Sequence, residues 1–160
     1  MTATVRIEVL GPPRGKGRPR FTARNGFATA YPDKQTATYE AVLRHEAALA
    51  MTGRQPLEGP LRLDVIAWLP IPASWWAKKR ERAAAGLIWP TSRSAADLDN
   101  IIKGIDALNE VVWRDDSQIV YIHARKYYST RPSLVLIVEP VVDLMGLPTA
   151  REAVQEATAL

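Results

Sequence analysis

The sequence predicts a single α/β (α+β) domain in which one mixed four-stranded sheet is packed by helices. Three observations lead there. The chain has 160 residues, the size of one ordinary domain and enough to bury a core unaided. Segments of period two and segments of helical period follow one another in the order β, α, β, α, α, β, β, which implies one mixed sheet with helices against it. Apolar residues make up 47% of the chain, too many for a disordered segment, yet charge or Pro interrupts every long apolar run, so no membrane span is expected.

Residues 4–10 (TVRIEVL) alternate and read as the first strand. The following GPPRGKGRPRF holds three Gly and three Pro in eleven residues, which forbids a regular helix and gives a basic loop whose backbone is free to follow a ligand. From Thr36 to Ala50 the apolar positions Ala37, Ala41, Val42, Ala48 and Leu49 suggest an amphipathic helix ending near Gly53. Residues 61–69 (LRLDVIAWL) form a second strand stopped by Pro70 and Pro72. Ser74 is a candidate N-cap for a helix through WWAKKRERAAAG, with Gly86 as its stop. A polar stretch, PTSRSAADLDN, leads into a helix from about Asn100 to Asn109, then a turn at 114–117. Residues 119–128 and 133–139 read as strands of a hairpin joined by 129–132. The domain is expected to span 1–142, leaving a tail at 143–160 that forms a short helix or frays.

The chain has no Cys, which excludes disulfides, thiolate metal sites and a catalytic thiol. MTATVRIEVL lacks the basic start and unbroken apolar core of a signal peptide, so a cytoplasmic protein is expected. His45 and His123 lack metal-ligand spacing. Of the five Trp, Trp68 and Trp113 are expected in the core, and Trp75 and Trp76 stay undecided between packing and base stacking.

Charge is distributed unevenly. Between residues 97 and 116 stand Asp97, Asp99, Asp106, Glu110, Asp115 and Asp116 against only Lys103 and Arg114, inside a chain of net charge +4. Crowded carboxylates oppose folding unless a cation joins them, and hard divalent ions prefer carboxylate oxygen. The remainder is basic, with one run at Arg14, Lys16, Arg18, Arg20 and Arg24 and a second at Lys78, Lys79, Arg80 and Arg82. A metal site in a protein that meets a polyanion would look like this.

On a helical wheel, Asp99, Lys103 and Asp106 share one face and Ile101, Ile102, Ile105, Leu108 and Val112 the other, so the helix can pack on a sheet with its charges outward. If 95–99 is extended, Asp97 and Asp99 point the same way with Cα atoms roughly 7 Å apart, close enough for two carboxylates to share an ion. Asp115 or Asp116 would supply a third oxygen. Each residue taken singly has a plainer reading: an Asp that caps a helix, a Lys and an Asp on a solvated face or paired with each other, an Asp pair in a turn, basic runs as solvated surface. Their combination favours two or three carboxylates around Mg²⁺ and a lysine at a phosphate.

The run DLDNIIKGIDALNEVVWRDDSQIV, preceded by PIPASWWAKKRERAAAG and GPPRGKGRPRF, resembles the RusA family of Holliday junction resolvases over most of residues 7–139. The resemblance implies a homodimeric, Mg²⁺-dependent endodeoxyribonuclease, with Mn²⁺ as a substitute ion, that nicks four-way DNA symmetrically and leaves 5′-phosphate and 3′-hydroxyl ends. It maps the family's essential carboxylates onto Asp97, Asp99 and Asp116 and its catalytic lysine onto Lys103. Arg14, Lys16, Arg18, Arg20, Lys78, Lys79, Arg80 and Arg82 are the expected contacts to backbone phosphates of branched DNA. The chain departs from the family in two places. Where members often have Lys-Pro-Asp it has Ala95-Ala96-Asp97, which removes a cation near the scissile phosphate. Where they often have Asn-Gly it has Asn109-Glu110, leaving Asn109 to take the left-handed backbone conformation. A rival reading is a branched-DNA binding protein that does not cut. A nucleotide-sugar transferase is disfavoured because no Gly-rich phosphate loop follows a strand.

Overall fold

The computed structural model describes residues 4–141 apart from 18, 19, 25, 26, 32 and 94, and describes only the backbone at 20–24 and 27–31. The expected tail at 143–160 lies outside the described residues, as does Arg18. Among the described residues, six strands and three α-helices follow in the order β1 (Val5–Leu10), β2 (Arg20–Arg24), β3 (Phe27–Tyr31), α1 (Lys34–Ala50), β4 (Leu61–Pro70), α2 (Ala77–Ala84), α3 (Leu98–Lys103), β5 (Ile119–Ser129) and β6 (Ser133–Pro140). The main sheet has four strands in the order β1-β6-β4-β5. β6 runs antiparallel to both of its neighbours and β4 runs parallel to β5, so the sheet is mixed, as expected.

Period-two patterning fixes which face is buried. Val5, Ile7 and Val9 of β1, alternate residues Leu61 to Leu69 of β4, and Leu134, Leu136 and Val138 of β6 all lie on one face and are almost wholly buried. Burying each such side chain contributes about 1.5–3 kcal/mol, so a one-residue slip of any strand would expose its entire set. Leu43 and Ala47 of α1, with Ile101, Ile105 and Leu108 of the α3 region, join these strands in one core.

The other face carries a polar cluster. Asp64 accepts hydrogen bonds from Arg62 at 3.0 Å and Arg125 at 3.4 Å and lies 3.1 Å from His123 Nδ1. Burial alone would push its carboxyl up, and these partners, Arg62 foremost, outweigh burial and hold it below the ordinary carboxylate range.

Several expectations are corrected here. β5 and β6 do not form a hairpin: β4 lies between them, parallel to β5 and antiparallel to β6, and residues 130–132 cross over the end of β4. β4 reaches β5 through α2 and α3, the kind of long crossover that a parallel pair requires. In α1 the expected stripe is on the wrong side. Ala37, Ala41, Val42, Ala48 and Leu49 are all exposed, and Thr36, Leu43 and Ala47 are buried. Alanines are good helix formers on a surface and contribute little area to a core, so Leu43 and Tyr39, which pack on the core, set the phase. α2 starts at Ala77 after Trp76 rather than at Ser74, because a turn from Pro72 to Trp75 precedes it. Its end at Gly86, with φ +73°, is as expected. Trp113 is fully buried, but Trp68 is half-buried on the polar face with its ring 5.2 Å from Tyr127.

The basic stretch is not loop throughout. Arg20 to Arg24 forms β2, paired antiparallel with β3. The alternating residues on either side of Asn25-Gly26, a dipeptide that favours hairpin turns, are the sequence signal for this pair.

The left-handed conformation after α3 is taken by Glu110 (φ +63°), not by Asn109 (φ −55°). A non-glycine residue there costs about 1–2 kcal/mol. Glu110→Gly is therefore expected to stabilise the protein by about 0.5–1 kcal/mol after the entropy of the added glycine, raising the melting temperature by about 1–4 °C. An unchanged or lower melting temperature would show that the strain is relieved elsewhere.

Candidate active site

The short helix α3 places the first two acids. Asp97 occupies the N-cap position with extended backbone, yet its carboxylate makes no capping hydrogen bond and is exposed. Asp99 lies in the first turn, where the helix dipole favours an anion, and accepts a hydrogen bond from Lys103 Nζ at 3.0 Å. That bond holds the Asp99 carboxyl below the ordinary range. Lys103 also reaches Asn100 Oδ1 at 3.4 Å.

After Lys103 the helix tightens into a 3₁₀ segment from Gly104 to Leu108 instead of continuing as α-helix to Asn109. Gly104 weakens the α-helix at this point. Asp106 forms its ion pair with Lys16 of the glycine-rich loop, while Lys103 bonds Asp99.

Lys16 arrives on the glycine-rich loop, which is fastened to α3. Its amide donates to the Asn100 carbonyl at 2.8 Å. A Cβ on Gly15 would sit 2.7 Å from Asn100 Cβ, so only glycine permits this approach. The Gly17 amide donates to Thr36 Oγ1 at 3.0 Å, which ties the loop to α1 as well. Glu40 of α1 stands 3.6 Å from the Lys16 ammonium. The hydrogen bond to Asp106, opposed by burial and aided by Glu40, raises the Lys16 pKa.

The turn before β5 separates the Asp pair. Asp115 accepts from the Ser117 amide at 2.9 Å, while Gln118 Oε1 accepts from the Asp115 amide at 3.1 Å, so Asp115 caps a short 3₁₀ turn at Asp116–Gln118. The Ser117 bonds hold its carboxyl low. Asp116 instead lines a cleft of about 480 Å³ between α3 and β5, together with Lys16, Lys103 and Asp106, on a floor of Ile102, Ile105, Ile119 and Ile122. A second cavity of about 440 Å³ lies between β1 and α1 and has no acidic lining residue.

The donor set at the head of α3 and in the cleft consists of carboxylate oxygens, the chemistry a hard divalent ion prefers. Among the described residues no three His, Asp or Glu side chains stand close enough to hold an ion between them. By donor chemistry the residues suit such an ion, with Asp97 and Asp116 both free of capping bonds.

Comparison with known proteins decides the family. The model of the family described as "Endodeoxyribonuclease RusA" matches residues 11–139. The chain belongs to the RusA family. It is also 34% identical over 143 residues to "Uncharacterized protein YqaN" of Bacillus subtilis (strain 168), covering 86% of this chain and 96% of that one. Membership makes this RusA-family chain a nuclease acting on DNA, a hydrolase.

The expected phosphate contacts of this RusA-family protein fall into distinct settings. Arg14 is exposed and hydrogen-bonded to Gln35, and Lys16 is turned into the carboxylates of the cleft. Arg20 lies on β2, and its side chain is outside the described residues. Lys78, Arg80 and Arg82 are exposed on α2, whereas Lys79 sits over the Trp75 ring, 3.8 Å from its centroid.

Two further residues stand at the site without a motif to announce them. Glu40 belongs to the side of α1 that carries Thr36, Leu43 and Ala47, opposite the expected stripe. Lys126 Nζ donates to the Ala96 carbonyl at 3.0 Å, bringing a cation from β5 to the backbone just before Asp97. Its signal was faint: in the alternating strand, a Lys in phase with Ile122, Ala124 and Tyr128 faces the core side. Among the described residues no helix is long and apolar enough to cross a membrane.

Proposed function

We propose that this chain is a Mg²⁺-dependent, structure-selective endonuclease of the cytoplasm that works as a homodimer and resolves four-way DNA junctions by symmetric nicks, leaving 5′-phosphate and 3′-hydroxyl ends. The observation that carries the reading is the cleft in which Asp116, Lys103, Lys16 and Asp106 converge, with Asp97 and Asp99 on the same short helix as Lys103. Asp97, Asp99 and Asp116 would hold Mg²⁺, or Mn²⁺ in its place. Once bound, the ion supplies a more acidic water and neutralises charge on the phosphate. Lys103, whose ammonium bonds Asp99 at 3.0 Å, would stabilise the charge that the phosphoryl oxygens gain. Lys16 neutralises Asp106 and Glu40, so that two further acids do not repel the DNA. Arg14 and the exposed cations of α2 grip backbone phosphates, which makes affinity fall steeply with salt and leaves little direct base reading.

The test uses a labelled synthetic four-way junction and a linear duplex, each with and without Mg²⁺, beside Asp99→Asn. Paired nicks in the junction alone, only with Mg²⁺ and absent in the variant, are expected. Junction binding with no product under any condition would make the chain a non-cleaving branched-DNA binding protein, and cleavage by Asp99→Asn at the wild-type rate would remove Asp99 from the site.

Lys126 takes the place of the cation that Ala95-Ala96 lacks. It acts through the backbone of Ala96 and so serves as a positioning residue for Asp97. Lys126→Met, which keeps the stem, is expected to lower cleavage roughly ten- to hundredfold and to raise the Mg²⁺ concentration for half-maximal rate. An unchanged Mg²⁺ dependence would confine Lys126 to packing.

A further inference from the structure

We infer that Trp89 is a stacking platform for an unstacked base at the branch point of junction DNA, and that this contact sets the preference for branched over linear substrate. It rests on the nuclease reading above and names the group that recognises the branch, which that reading leaves open. The cations assigned to DNA so far meet phosphates, and phosphates are present alike in junction and duplex. A base face is different. In continuous duplex each base is covered by its neighbours on both sides, and a face comes free only where stacking is interrupted.

Three rings form a ladder on the sheet face opposite the core. Trp68 of β4 and Tyr127 of β5 are register partners with ring centroids 5.2 Å apart, and Trp89 continues the stack 5.3 Å from Tyr127, tilted by 37°. Trp68 and Tyr127 are half-buried, whereas Trp89, the outer ring, is 61% exposed. A lone apolar side chain on a surface needs no explanation, but this one is fixed in place. Ile88 packs on the core before it, Pro90 favours extended backbone at Trp89, and the Thr91 amide donates to the Trp89 carbonyl at 3.0 Å. A ring ordered in advance loses little entropy when it binds. Trp75 is otherwise engaged, edge-on to Tyr128 at 5.1 Å and beneath the Lys79 ammonium.

The surroundings select nucleic acid as the occupant. Residues 87–96 contain no acid and carry the exposed Arg93. The Leu87 amide donates to the Arg82 carbonyl at 2.9 Å, which fastens this loop to the end of α2 with its exposed Lys78, Arg80 and Arg82. An aromatic platform among cations suits unpaired nucleic acid, with the cations on phosphates and the ring on a base. The same loop runs directly into Asp97. Lys126 bonds its Ala96 carbonyl and Tyr127 supports Trp89, so the acids and the platform are fastened at adjacent positions of β5. Adjacent strand residues face opposite sides. One arm of a branched molecule can therefore enter the cleft while the exchange point lies against Trp89.

The experiment compares binding of a four-way junction and a linear duplex, without Mg²⁺, by wild type, Trp89→Ala, Trp89→Phe and Leu87→Ala, a neighbour 66% exposed that has no ring. Trp89→Ala is expected to lose roughly 5- to 150-fold in junction affinity and nothing on duplex, Trp89→Phe to retain most of it, and Leu87→Ala to match wild type. A junction carrying 5-iodouracil at the branch point is expected, on irradiation, to crosslink wild type through the peptide that holds Trp89. Unchanged junction affinity in Trp89→Ala, or equal losses on junction and duplex, would overturn the inference and leave the nuclease reading intact. A sedimentation coefficient altered in the free variant would assign the ring to a contact between proteins and also overturn it. Should Trp89→Ala misfold, the crosslink decides on the unaltered chain: no adduct at Trp89 from any branch-point position overturns the inference. Wild type that crosslinks through Trp89 yet never nicks the junction with Mg²⁺ would support the platform and sink the nuclease reading.

Discussion

Asp116→Asn is expected to lower junction cleavage at least about 100-fold while junction binding persists, whereas Asp115→Asn is expected to cut within about tenfold of wild type. The two residues are adjacent and chemically identical, and only their hydrogen bonds tell them apart. The Asp115 carboxylate accepts from the Ser117 amide and closes a reciprocal cap with Gln118. Asn caps almost as well as Asp, so that substitution keeps the turn. Asp116 has no part in the cap and faces the cleft with Lys103. Because its bonds hold the Asp115 carboxyl below the ordinary value of 3.8, the contribution of this cap is present above about pH 4 and is lost as pH falls through the lowered folded-state pKa. Single-turnover rates on a labelled junction, with melting curves for both variants, make the comparison. Equal losses in the two variants would mean that the pair acts as a unit and that the assignment of Asp116 alone is wrong.

Trp113→Ala is expected to cost about 3–5 kcal/mol, a large part of the stability of a domain this size, and to lower the melting temperature by about 10 °C or more. Trp113 is fully buried, and its indole donates to Asn109 Oδ1 at 2.7 Å. Around it the backbone closes twice, with the Glu110 amide on the Trp113 carbonyl and the Leu57 amide on the Val112 carbonyl, both at 2.7 Å. Gln118 then bonds the carbonyls of Leu57 and Gly59. The ring thus underlies the turn that carries the acidic pair. Trp113→Phe keeps much of the packing and removes the indole donor, and is expected to cost about 1–3 kcal/mol. Calorimetry of both variants separates packing from the hydrogen bond. A loss in Trp113→Ala no larger than in Trp113→Phe would show that packing at this site contributes little.

Much of the fold was legible from patterning. β1 and β4 alternate so regularly that their buried sets follow from period alone, and the apolar stripe Ile101, Ile105, Leu108 defines the inner face of α3 and of the 3₁₀ segment that continues it. Patterning failed where a local signal had two meanings. Ser129 to Pro132 looked like a hairpin turn, yet no local feature reports that β4 occupies the place between β5 and β6. Alanine fills the exposed side of α1 and mimics a core stripe, although a methyl group on a surface costs almost nothing.

The candidate site divides in the same way. Residue types and spacing establish which side chains are present: an acidic window in a basic chain, with Asp97, Asp99, Lys103 and an Asp pair at fixed separations. What each of them touches is set by tertiary packing. It brought Lys16 to Asp106 across 90 residues of sequence, set Glu40 beside that pair, carried Lys126 to the carbonyl before Asp97, and distinguished Asp116 from Asp115. The physical reason is that helical and strand periods fix the direction of a side chain within its own element, whereas its partners depend on how elements are brought together by burial of the core. Long-range packing has no period to read.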